Sequence, residues 1–231
     1  MKAMLLAAGL GLRLRPITNK IPKCLVPIKG VPLLGIWLKN MKEAGIGPFF
    51  INTHYLHEQV EDFINTLDFN HEITISKEKE LLGTAGTLIK NISFFGKEDG
   101  LLIHADNYCL ADLKEFIETH ENRPSHCLIT MMTFKTDNPS SCGIVELDKN
   151  QVVIGFHEKV SNPPGNLANG AIYILSSELL DILEVQQIAV NNFSEDILPK
   201  LMGKIFTYQT EEVFIDIGTR ESYEIANKIS V

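Results

Sequence analysis

The most constraining feature of this sequence is its first segment, an apolar run that ends in a glycine-containing loop. Residues 2–8 predict a buried strand, and Gly9 and Gly11 open the loop that follows it. Glycines at the end of a buried strand let backbone N–H groups approach a phosphate without obstruction by Cβ atoms. Because ligands of open parallel sheets bind at the carboxyl ends of the strands, this segment predicts an anion-binding loop in an α/β fold.

Two common phosphate-binding motifs do not fit the loop. A dinucleotide fingerprint GxGxxG needs glycine at position 14, where the chain has Leu14, and no GxxxxGK[ST] sequence occurs. Prolines also prevent a helix from starting promptly after the loop; they are Pro16, Pro22 and Pro27. An ordinary tight turn therefore stays open as an alternative at this point.

The charge distribution separates the amino-terminal segment from the rest of the chain. The protein has a net charge of −8, which argues against general nucleic-acid binding. Residues 1–42 nevertheless contain no acidic residue and eight basic ones, which are Lys2, Arg13, Arg15, Lys20, Lys23, Lys29, Lys39 and Lys42. An acidic chain with one purely basic end is expected to bind an anion there, and a solvated basic face is the alternative.

The cysteines and the apolar runs indicate the compartment. The four cysteines form no CxxC pair and no zinc-ligand spacing; they are Cys24, Cys109, Cys127 and Cys142. Isolated thiols in a chain of this length predict a reduced, intracellular protein. No run of 18 apolar residues occurs, and the first residues lack a clear secretory cleavage site. We therefore expect a cytoplasmic protein that does not span a membrane.

Hydrophobic periodicity predicts the fold class. The first half alternates strands at 2–8, 49–53, 72–76 and 101–105 with helices at 32–44, 58–67 and 84–92, which indicates a parallel sheet covered by helices. After residue 125 the strands follow more closely, which indicates an antiparallel or mixed extension of the sheet. These strands are predicted at 127–134, 143–147, 152–157, 171–175, 204–209 and 213–215, with helices at 177–183, 195–202 and 221–229. The expected fold is a single Rossmann-like α/β domain over residues 1–231, with a mixed, mainly parallel central sheet flanked by helices.

Several motifs carry a resemblance to a known family. The run GLGLRLRPIT at 9–18, followed by PKCLVPI at 22–28, resembles the signature of sugar-1-phosphate nucleotidyltransferases, the nucleotide-sugar pyrophosphorylases. Further segments resemble other family motifs in family order: LGTAG at 82–86, AD at 105–106, CGIV at 142–145, EK at 158–159, NGAIY at 169–173 and FIDIGT at 214–219. The chain looks most like the mannose-1-phosphate and heptose-1-phosphate guanylyltransferases.

The resemblance implies a fold and a reaction. It implies a GT-A-like nucleotidyltransferase fold without a carboxyl-terminal β-helix, with a nucleotide-binding half at residues 1–124 and a sugar-phosphate-binding half at residues 125–231. It implies transfer of a nucleoside monophosphate, with GTP favoured, to a mannose- or heptose-type sugar 1-phosphate, with release of pyrophosphate. Mg²⁺ is the implied cofactor, and nucleotide-sugar supply for polysaccharide biosynthesis is the implied use. A homodimer is compatible with the resemblance.

The resemblance also implies roles for individual residues. The implied catalytic set is Arg13, Lys23, Asp106 and Asp216, of which Asp106 and Asp216 would bind the metal. The implied nucleotide-binding set is Ala8, Gly9, Gly11, Arg13, Gly83 and Thr84. The implied sugar-phosphate-binding set is Gly143, Glu158, Lys159 and Asn169.

Three departures from the family pattern concern substrate details. Leu12 stands where the family usually has Ser or Thr, Cys24 stands where proline is usual, and Val160 replaces a proline. None of the three removes a charged group. The reaction class is therefore unaffected, whereas uridylyl or cytidylyl transfer and a phosphocholine-like acceptor stay open as alternatives. A catalytically silent nucleotide-sugar-binding subunit is a further alternative, although such proteins typically lose the charged residues that this chain retains.

Structural alternatives also exist for the single residues. Asp106 could cap a helix after its strand, Lys159 could be a surface partner of Glu158, and Asn169 with Gly170 could form a hairpin turn. Asp216 lies between two isoleucines, where an unpaired buried carboxylate would be costly, so we expect it to be buried with a metal or a cationic partner.

Overall fold

The computed structural model describes residues 1–186 and 190–229. Its strands are β1 (Lys2–Leu6), β2 (Pro27–Ile28), β3 (Val31–Pro32), β4 (Phe49–Thr53), β5 (Ile73–Lys77), β6 (Gly100–His104), β7 (Asn107–Cys109), β8 (Ile129–Lys135), β9 (Gly143–Leu147), β10 (Val153–Glu158), β11 (Leu167–Leu175), β12 (Ile205–Gln209) and β13 (Phe214–Asp216). Its α-helices are α1 (Leu33–Glu43), α2 (His57–Asn65), α3 (Gly83–Lys90), α4 (Leu113–Glu121), α5 (Ser177–Gln186) and α6 (Arg220–Lys228).

The chain divides into two compact units. The first contains Met1–Leu81, Ile103–Leu110 and Val213–Val231, and the second contains Leu82–Leu102 and Ala111–Glu212. The predicted fold class, a mixed central sheet with flanking helices, is confirmed. The assignment of one domain with a nucleotide-binding and a sugar-phosphate-binding half stays a prediction.

The first unit contains a parallel arrangement of strands. β4 pairs in parallel with both β1 and β5, and α1 and α2 provide the crossovers between them. β4 is buried along its whole length, in keeping with its apolar sequence Phe-Phe-Ile-Asn-Thr. The carboxyl ends of β1, β4 and β5 therefore lie at one edge, where the glycine loop begins.

A two-stranded antiparallel ribbon in the first unit was not predicted from the sequence. β13 pairs with β7, with Asp216 opposite Asn107. The indole Nε1 of Trp37 on α1 donates to the carbonyl oxygen of Asn107 at 2.7 Å, which fixes the ribbon to the helix. β7 has only three residues, too few for a periodic signal.

The second unit is built mainly on antiparallel strands. β11 pairs antiparallel with β8 and with β9, β9 pairs antiparallel with β10, and β12 pairs in parallel with β8. The side chains of β8 from Ile129 to Thr133 are buried and form part of the core of this unit. The predicted change to antiparallel or mixed pairing after residue 125 is confirmed.

Two helical segments differ from the sequence prediction. α4 was not predicted, although Asp112 is its N-cap and accepts hydrogen bonds from the backbone N–H groups of Lys114 and Glu115. The helix expected over 195–202 is a π-helix over Phe193–Ile197 followed by a 3-10 helix over Leu198–Leu201. Pro199 accounts for the break, because it has no N–H to donate within a continuous α-helix.

None of the helices in the described residues is long and apolar enough to cross a bilayer.

Candidate functional site

Four charged side chains of the first unit come together. The ammonium Nζ of Lys23 lies 2.5 Å from Oδ2 of Asp106 and 3.5 Å from Oδ1 of Asp216. The guanidinium of Arg13 lies 3.7 Å from Oδ2 of Asp216. These are the four residues that the sequence assigns to catalysis, although Asp106 and Asp216 are far apart in the chain.

The sheet and the ribbon explain how the two carboxylates meet. The backbone N–H of Ala105 donates to the carbonyl oxygen of Leu6 at 3.1 Å, so Asp106 follows β6 beside the end of β1. The backbone N–H of Ile217 donates to the carbonyl oxygen of Asp106 at 3.0 Å, which extends the ribbon and brings Asp216 alongside.

The glycine loop that follows β1 positions Lys23 beside these two carboxylates. Gly11 adopts the left-handed conformation with φ 62°, and its carbonyl oxygen accepts a hydrogen bond from the Thr18 hydroxyl at 2.7 Å. A Cβ on Gly11 would lie 2.8 Å from Cγ2 of Thr18 and 3.3 Å from Cβ of Lys23. Glycine is therefore required here by backbone conformation and by the close approach of the two side chains.

The charges within the cluster stabilise one another. Burial lowers the pKa of Lys23, but the neighbouring carboxylates of Asp106 and Asp216 outweigh it and raise the pKa above its ordinary 10.5. Burial acts to raise the pKa of Asp106, and the positive charge of Lys23 outweighs it, so that this pKa is lowered. Lys23 is therefore an ammonium and Asp106 a carboxylate at neutral pH.

The two carboxylates fit a magnesium ion. Mg²⁺ in nucleotide-dependent enzymes is bound through one or two carboxylates together with substrate phosphates. Asp106 and Asp216 lie within 3.5 Å of one nitrogen atom, and their side chains are 36% and 53% exposed. Within the described residues no group of three or more His, Cys, Asp or Glu side chains is arranged to hold a metal without such help.

One expectation and one alternative for these carboxylates are wrong. The side chain of Asp216 is half exposed rather than buried, because alternate residues of the short strand β13 face opposite sides and Ile217 takes the buried position. Asp106 does not cap a helix, because the element that follows it is the strand β7. Asp216 has the cationic partners that were expected for it, which are Lys23 and Arg13.

A buried polar network supports the start of the glycine loop, and the sequence analysis missed it. The side-chain oxygen of Asn52 accepts a hydrogen bond from the backbone N–H of Ala7 at 2.7 Å, and its amide nitrogen donates to Glu78 at 2.8 Å. Asn52 and Glu78 are 3% and 4% exposed. Polar residues at the ends of β4 and β5 were a signal for this network. Ala8 is buried next to it, and a Cβ on Gly9 would meet nothing within 4 Å.

The other two predicted nucleotide-binding residues, Gly83 and Thr84, belong to the second unit. Gly83 has φ +73°, and a Cβ there would lie 2.3 Å from the backbone oxygen of Asn191. The Thr84 hydroxyl accepts a hydrogen bond from the backbone N–H of Phe193 at 2.7 Å. These contacts fix the amino-terminal turn of α3 against the segment 191–193.

Three of the predicted sugar-phosphate residues lie together in the second unit. A Cβ on Gly143 would lie 2.6 Å from Oε2 of Glu158, so the glycine allows the carboxylate to approach the backbone. The ammonium of Lys159 lies 2.7 Å from Oε1 of Glu158, and its side chain is 64% exposed. The surface ion pair considered for Lys159 therefore exists, and it leaves most of the lysine accessible.

Asn169 lies within β11, so the hairpin-turn alternative for Asn169 and Gly170 is wrong. Its side-chain oxygen accepts a hydrogen bond from the backbone N–H of Ala171 at 2.9 Å, and its amide nitrogen donates to the Tyr173 hydroxyl at 2.7 Å. The strand register shifts between Asn169 and Tyr173, and Ala171 has φ 53°. This bulge redirects Asn169 within the strand. Tyr173, which sequence reasoning did not single out, is packed against Phe193 with ring centroids 4.9 Å apart.

The residues that depart from the family pattern differ in their surroundings. Leu12 and Val160 are exposed, at 55% and 37%. Cys24 is buried, which raises its pKa to about 12, so it is a thiol rather than a thiolate at neutral pH. None of the four cysteines forms a disulfide.

Comparison with known proteins gives consistent matches over the whole chain. The family described as Nucleotidyl transferase matches residues 2–230. The D-glycero-alpha-D-manno-heptose 1-phosphate guanylyltransferase of Campylobacter jejuni is 30% identical over 224 residues, covering 96% of this chain and 97% of that protein. Mannose-1-phosphate guanyltransferase 2 of Candida glabrata is 28% identical over 231 residues, and the matched region spans 63% of that longer protein.

A solved structure agrees with these matches. The crystal structure of HddC from Yersinia pseudotuberculosis complexed with GMP-PN has a TM-score of 0.81 and 28% sequence identity, and the match covers 98% of each chain.

Proposed function

The chain belongs to the nucleotidyl transferase family, and we propose that it transfers GMP from GTP to a manno-configured sugar 1-phosphate, first of all a heptose 1-phosphate. The predicted family and nucleotidyl transfer as its class of reaction are confirmed. Heptose 1-phosphate is placed first because it is the acceptor in the name of the Campylobacter jejuni relative, which is 30% identical to this chain, whereas mannose 1-phosphate is the acceptor in the name of the Candida glabrata relative, which is 28% identical.

The observation that carries the proposal is the four-charge cluster of the first unit. In-line attack on the α-phosphorus brings two anions together, so catalysis depends on positioning and on neutralising charge. The attacking sugar-phosphate oxygen is already anionic near neutral pH, and no strong general base is required. A buried lysine, an exposed arginine and two carboxylates that can hold a metal ion would supply this positioning and this neutralisation of charge.

Each residue of the cluster has a distinct role in the proposed reaction. Arg13, whose side chain is 72% exposed, would hold the departing β- and γ-phosphates through its planar fork of donors. Lys23 would place its compact charge at the reacting phosphates. Asp106 and Asp216 would hold Mg²⁺, which when bound neutralises triphosphate charge and orients the leaving pyrophosphate.

Backbone groups of the glycine loop would complete the nucleotide site. The N–H groups near Gly9 and Gly11 would meet phosphate oxygens, and Ala8 would lie against the base or ribose. In the second unit Gly83 and Thr84 would contribute mainly backbone groups, because the Thr84 hydroxyl is engaged with Phe193.

The sugar phosphate would be bound by residues of the second unit. Lys159 would bind the phosphate group of the sugar 1-phosphate, because its side chain is largely exposed despite the ion pair with Glu158. Gly143, Glu158 and Asn169 would face sugar hydroxyls. A cytoplasmic location, which the absence of disulfides among the four cysteines favours, and a homodimer stay predictions.

A substrate panel tests the proposal. GTP, ATP, UTP, CTP and dTTP are each combined with heptose, mannose, glucose and N-acetylglucosamine 1-phosphates and with phosphocholine. Pyrophosphate release is followed by a coupled assay and the product by mass spectrometry. We expect GTP with heptose 1-phosphate to give the highest kcat/KM, by about tenfold or more over the other nucleotides. A preference for UTP or CTP would contradict the proposal, and turnover with no pair would favour a silent binding subunit.

A further inference from the structure

Lys23 already neutralises both carboxylates that would hold the metal. Its side chain is 9% exposed, and its ammonium lies 2.5 Å from Asp106 and 3.5 Å from Asp216. A buried ammonium is stable only when anionic groups surround it, and these two carboxylates provide them. The ammonium of Lys23 and the proposed magnesium ion would therefore bind the same two carboxylates.

A count of formal charges shows why the two cations compete. The carboxylates of Asp106 and Asp216 are balanced by the ammonium of Lys23 and the guanidinium of Arg13, so the cluster is neutral as it stands. If a divalent cation bound alone, the cluster would carry a net positive charge next to the buried ammonium of Lys23. If the cation binds together with the triphosphate, the phosphate groups supply the compensating negative charge. Their oxygens can then replace Asp106 as the anionic partner of Lys23.

We infer that Lys23 acts as an internal counter-ion that blocks metal binding until the nucleoside triphosphate arrives, so that metal and nucleotide bind together. This inference rests on the proposed function, because it takes the cluster to be the metal–triphosphate site. Thermodynamic linkage makes the effect reciprocal. If the nucleotide increases the affinity for the metal by a given factor, the metal increases the affinity for the nucleotide by the same factor. Arg13, at 3.7 Å and mostly exposed, contributes less to the block.

Manganese binding tests the inference without measuring turnover. Free Mn²⁺ is followed by electron paramagnetic resonance while it is titrated into wild-type protein, into wild-type protein with a non-hydrolysable GTP analogue, and into the analogue alone, whose own Mn²⁺ binding is subtracted. We expect wild-type protein alone to bind Mn²⁺ at least about tenfold more weakly than with the analogue, within the usual range of coupling between two sites. Equal affinity in the two protein titrations would overturn the inference.

Substitution of the lysine provides the second arm of the test. Lys23→Met should bind Mn²⁺ about tenfold or more tightly than wild type in the absence of nucleotide, because the competing charge is gone. Lys20→Met is the matched control, since Lys20 is an exposed lysine of the same segment, and it should behave as wild type. A Lys23→Met, Asp106→Asn double variant should lose the gain, which assigns the bound Mn²⁺ to these carboxylates.

The outcomes separate this inference from the proposed function. If Lys23→Met binds Mn²⁺ no more tightly than wild type, the counter-ion role is wrong. If the variant gains affinity but wild-type protein uses UTP rather than GTP, the nucleotide assignment is wrong and the inference stands. If Lys23→Met does not fold, Lys23→Gln takes its place, because it also removes the competing charge but keeps a polar side chain beside Asp106 and Asp216.

Discussion

The two candidate binding clusters differ in what holds their side chains. In the first unit, Lys23 is held between Asp106 and Asp216 by charge, with Arg13 at the rim. In the second unit, Asn169 is held by neutral hydrogen bonds to Tyr173 and Ala171, and the ion pair of Lys159 with Glu158 leaves the lysine 64% exposed. The difference suits the chemistry proposed for each cluster, because a triphosphate calls for charge neutralisation whereas sugar hydroxyls call for placed donors and acceptors.

This comparison predicts how variants divide between kcat and KM. Loss of a charge in the first unit removes transition-state stabilisation and should appear in kcat. Loss of a neutral hydrogen bond in the second unit weakens substrate positioning and should appear mainly in KM for the sugar phosphate. The following experiments test that division.

The largest effect is expected from the carboxylates. Asp106→Asn or Asp216→Asn should lower kcat by at least about 100-fold, because each removes a ligand for the metal that neutralises the triphosphate. Pyrophosphate release at saturating substrates measures this, with circular dichroism as the check on folding. Asp62→Asn, an exposed aspartate on α2, is the matched control. Retention of more than about a tenth of wild-type kcat would refute the metal role, since a tenth corresponds to about 1.4 kcal/mol.

The two lysines provide a direct comparison between the units. Lys23→Ala should cost about 2–4 kcal/mol in kcat/KM, as does the loss of one preorganised donor in other enzymes. Lys159→Ala, whose ammonium is 64% exposed, should act mainly on KM for the sugar phosphate, by roughly tenfold, and should spare kcat. Steady-state kinetics with each substrate varied in turn measures both. Equal kcat losses in the two variants would break the comparison.

A smaller effect is expected from the hydroxyl that orients Asn169. Tyr173→Phe removes the acceptor for the Asn169 amide and keeps the buried ring, so it should raise KM for the sugar phosphate by roughly fivefold, the equivalent of one ordinary hydrogen bond. KM for GTP and kcat should stay within about twofold of wild type, because both depend on the charge cluster. A loss in kcat instead would place Tyr173 in the chemistry rather than in positioning.

The smallest effect concerns stability and arises from a buried pair in the second unit. His120, which is 1% exposed, lies with Nε2 3.1 Å from Asp99 and Nδ1 2.8 Å from the Thr130 hydroxyl. Burial lowers the pKa of His120 below 6.5, so on acidification through that value the unfolded chain binds more protons and stability falls. The hydrogen bond from His120 lowers the pKa of Asp99 to about 2, so its contribution is present above the ordinary 3.8 and is lost as pH falls towards 2.

Denaturant unfolding between pH 7 and pH 5 measures the histidine contribution. We expect the free energy of unfolding of wild-type protein to fall by about 1 kcal/mol or less over this range through His120, and His120→Asn to show a shallower slope. Equal slopes in the two proteins would show that His120 does not contribute.

Local patterns in the sequence predicted much of the fold. β4, with all five residues buried, and β9 were predicted with their observed ends, because long apolar runs bounded by turn residues leave few alternatives. The ribbon of β7 and β13 could not be fully predicted, because it joins two short strands that lie far apart in the chain. That ribbon is what brings Asp216 to Asp106.

The candidate site was predicted by resemblance more than by periodicity. Spacing alone gave no reason for Asp106 and Asp216 to meet, and it suggested a buried Asp216 that the structure shows to be half exposed. Asn52 was missed although its place near the end of an apolar strand was a signal, and Tyr173 was missed because a buried tyrosine in an apolar strand has no distinctive spacing. Their roles depend on contacts between strands, which a single sequence does not display.

The most direct test of the account follows the phosphorus atoms of GTP. The protein is incubated with heptose 1-phosphate and either α-labelled or γ-labelled GTP, and the products are separated by chromatography. If the charge cluster of the first unit catalyses attack at the α-phosphorus, the α-label appears in a GDP-sugar and the γ-label in pyrophosphate. Transfer of the γ-label to the sugar, or release of it as inorganic phosphate, would contradict nucleotidyl transfer.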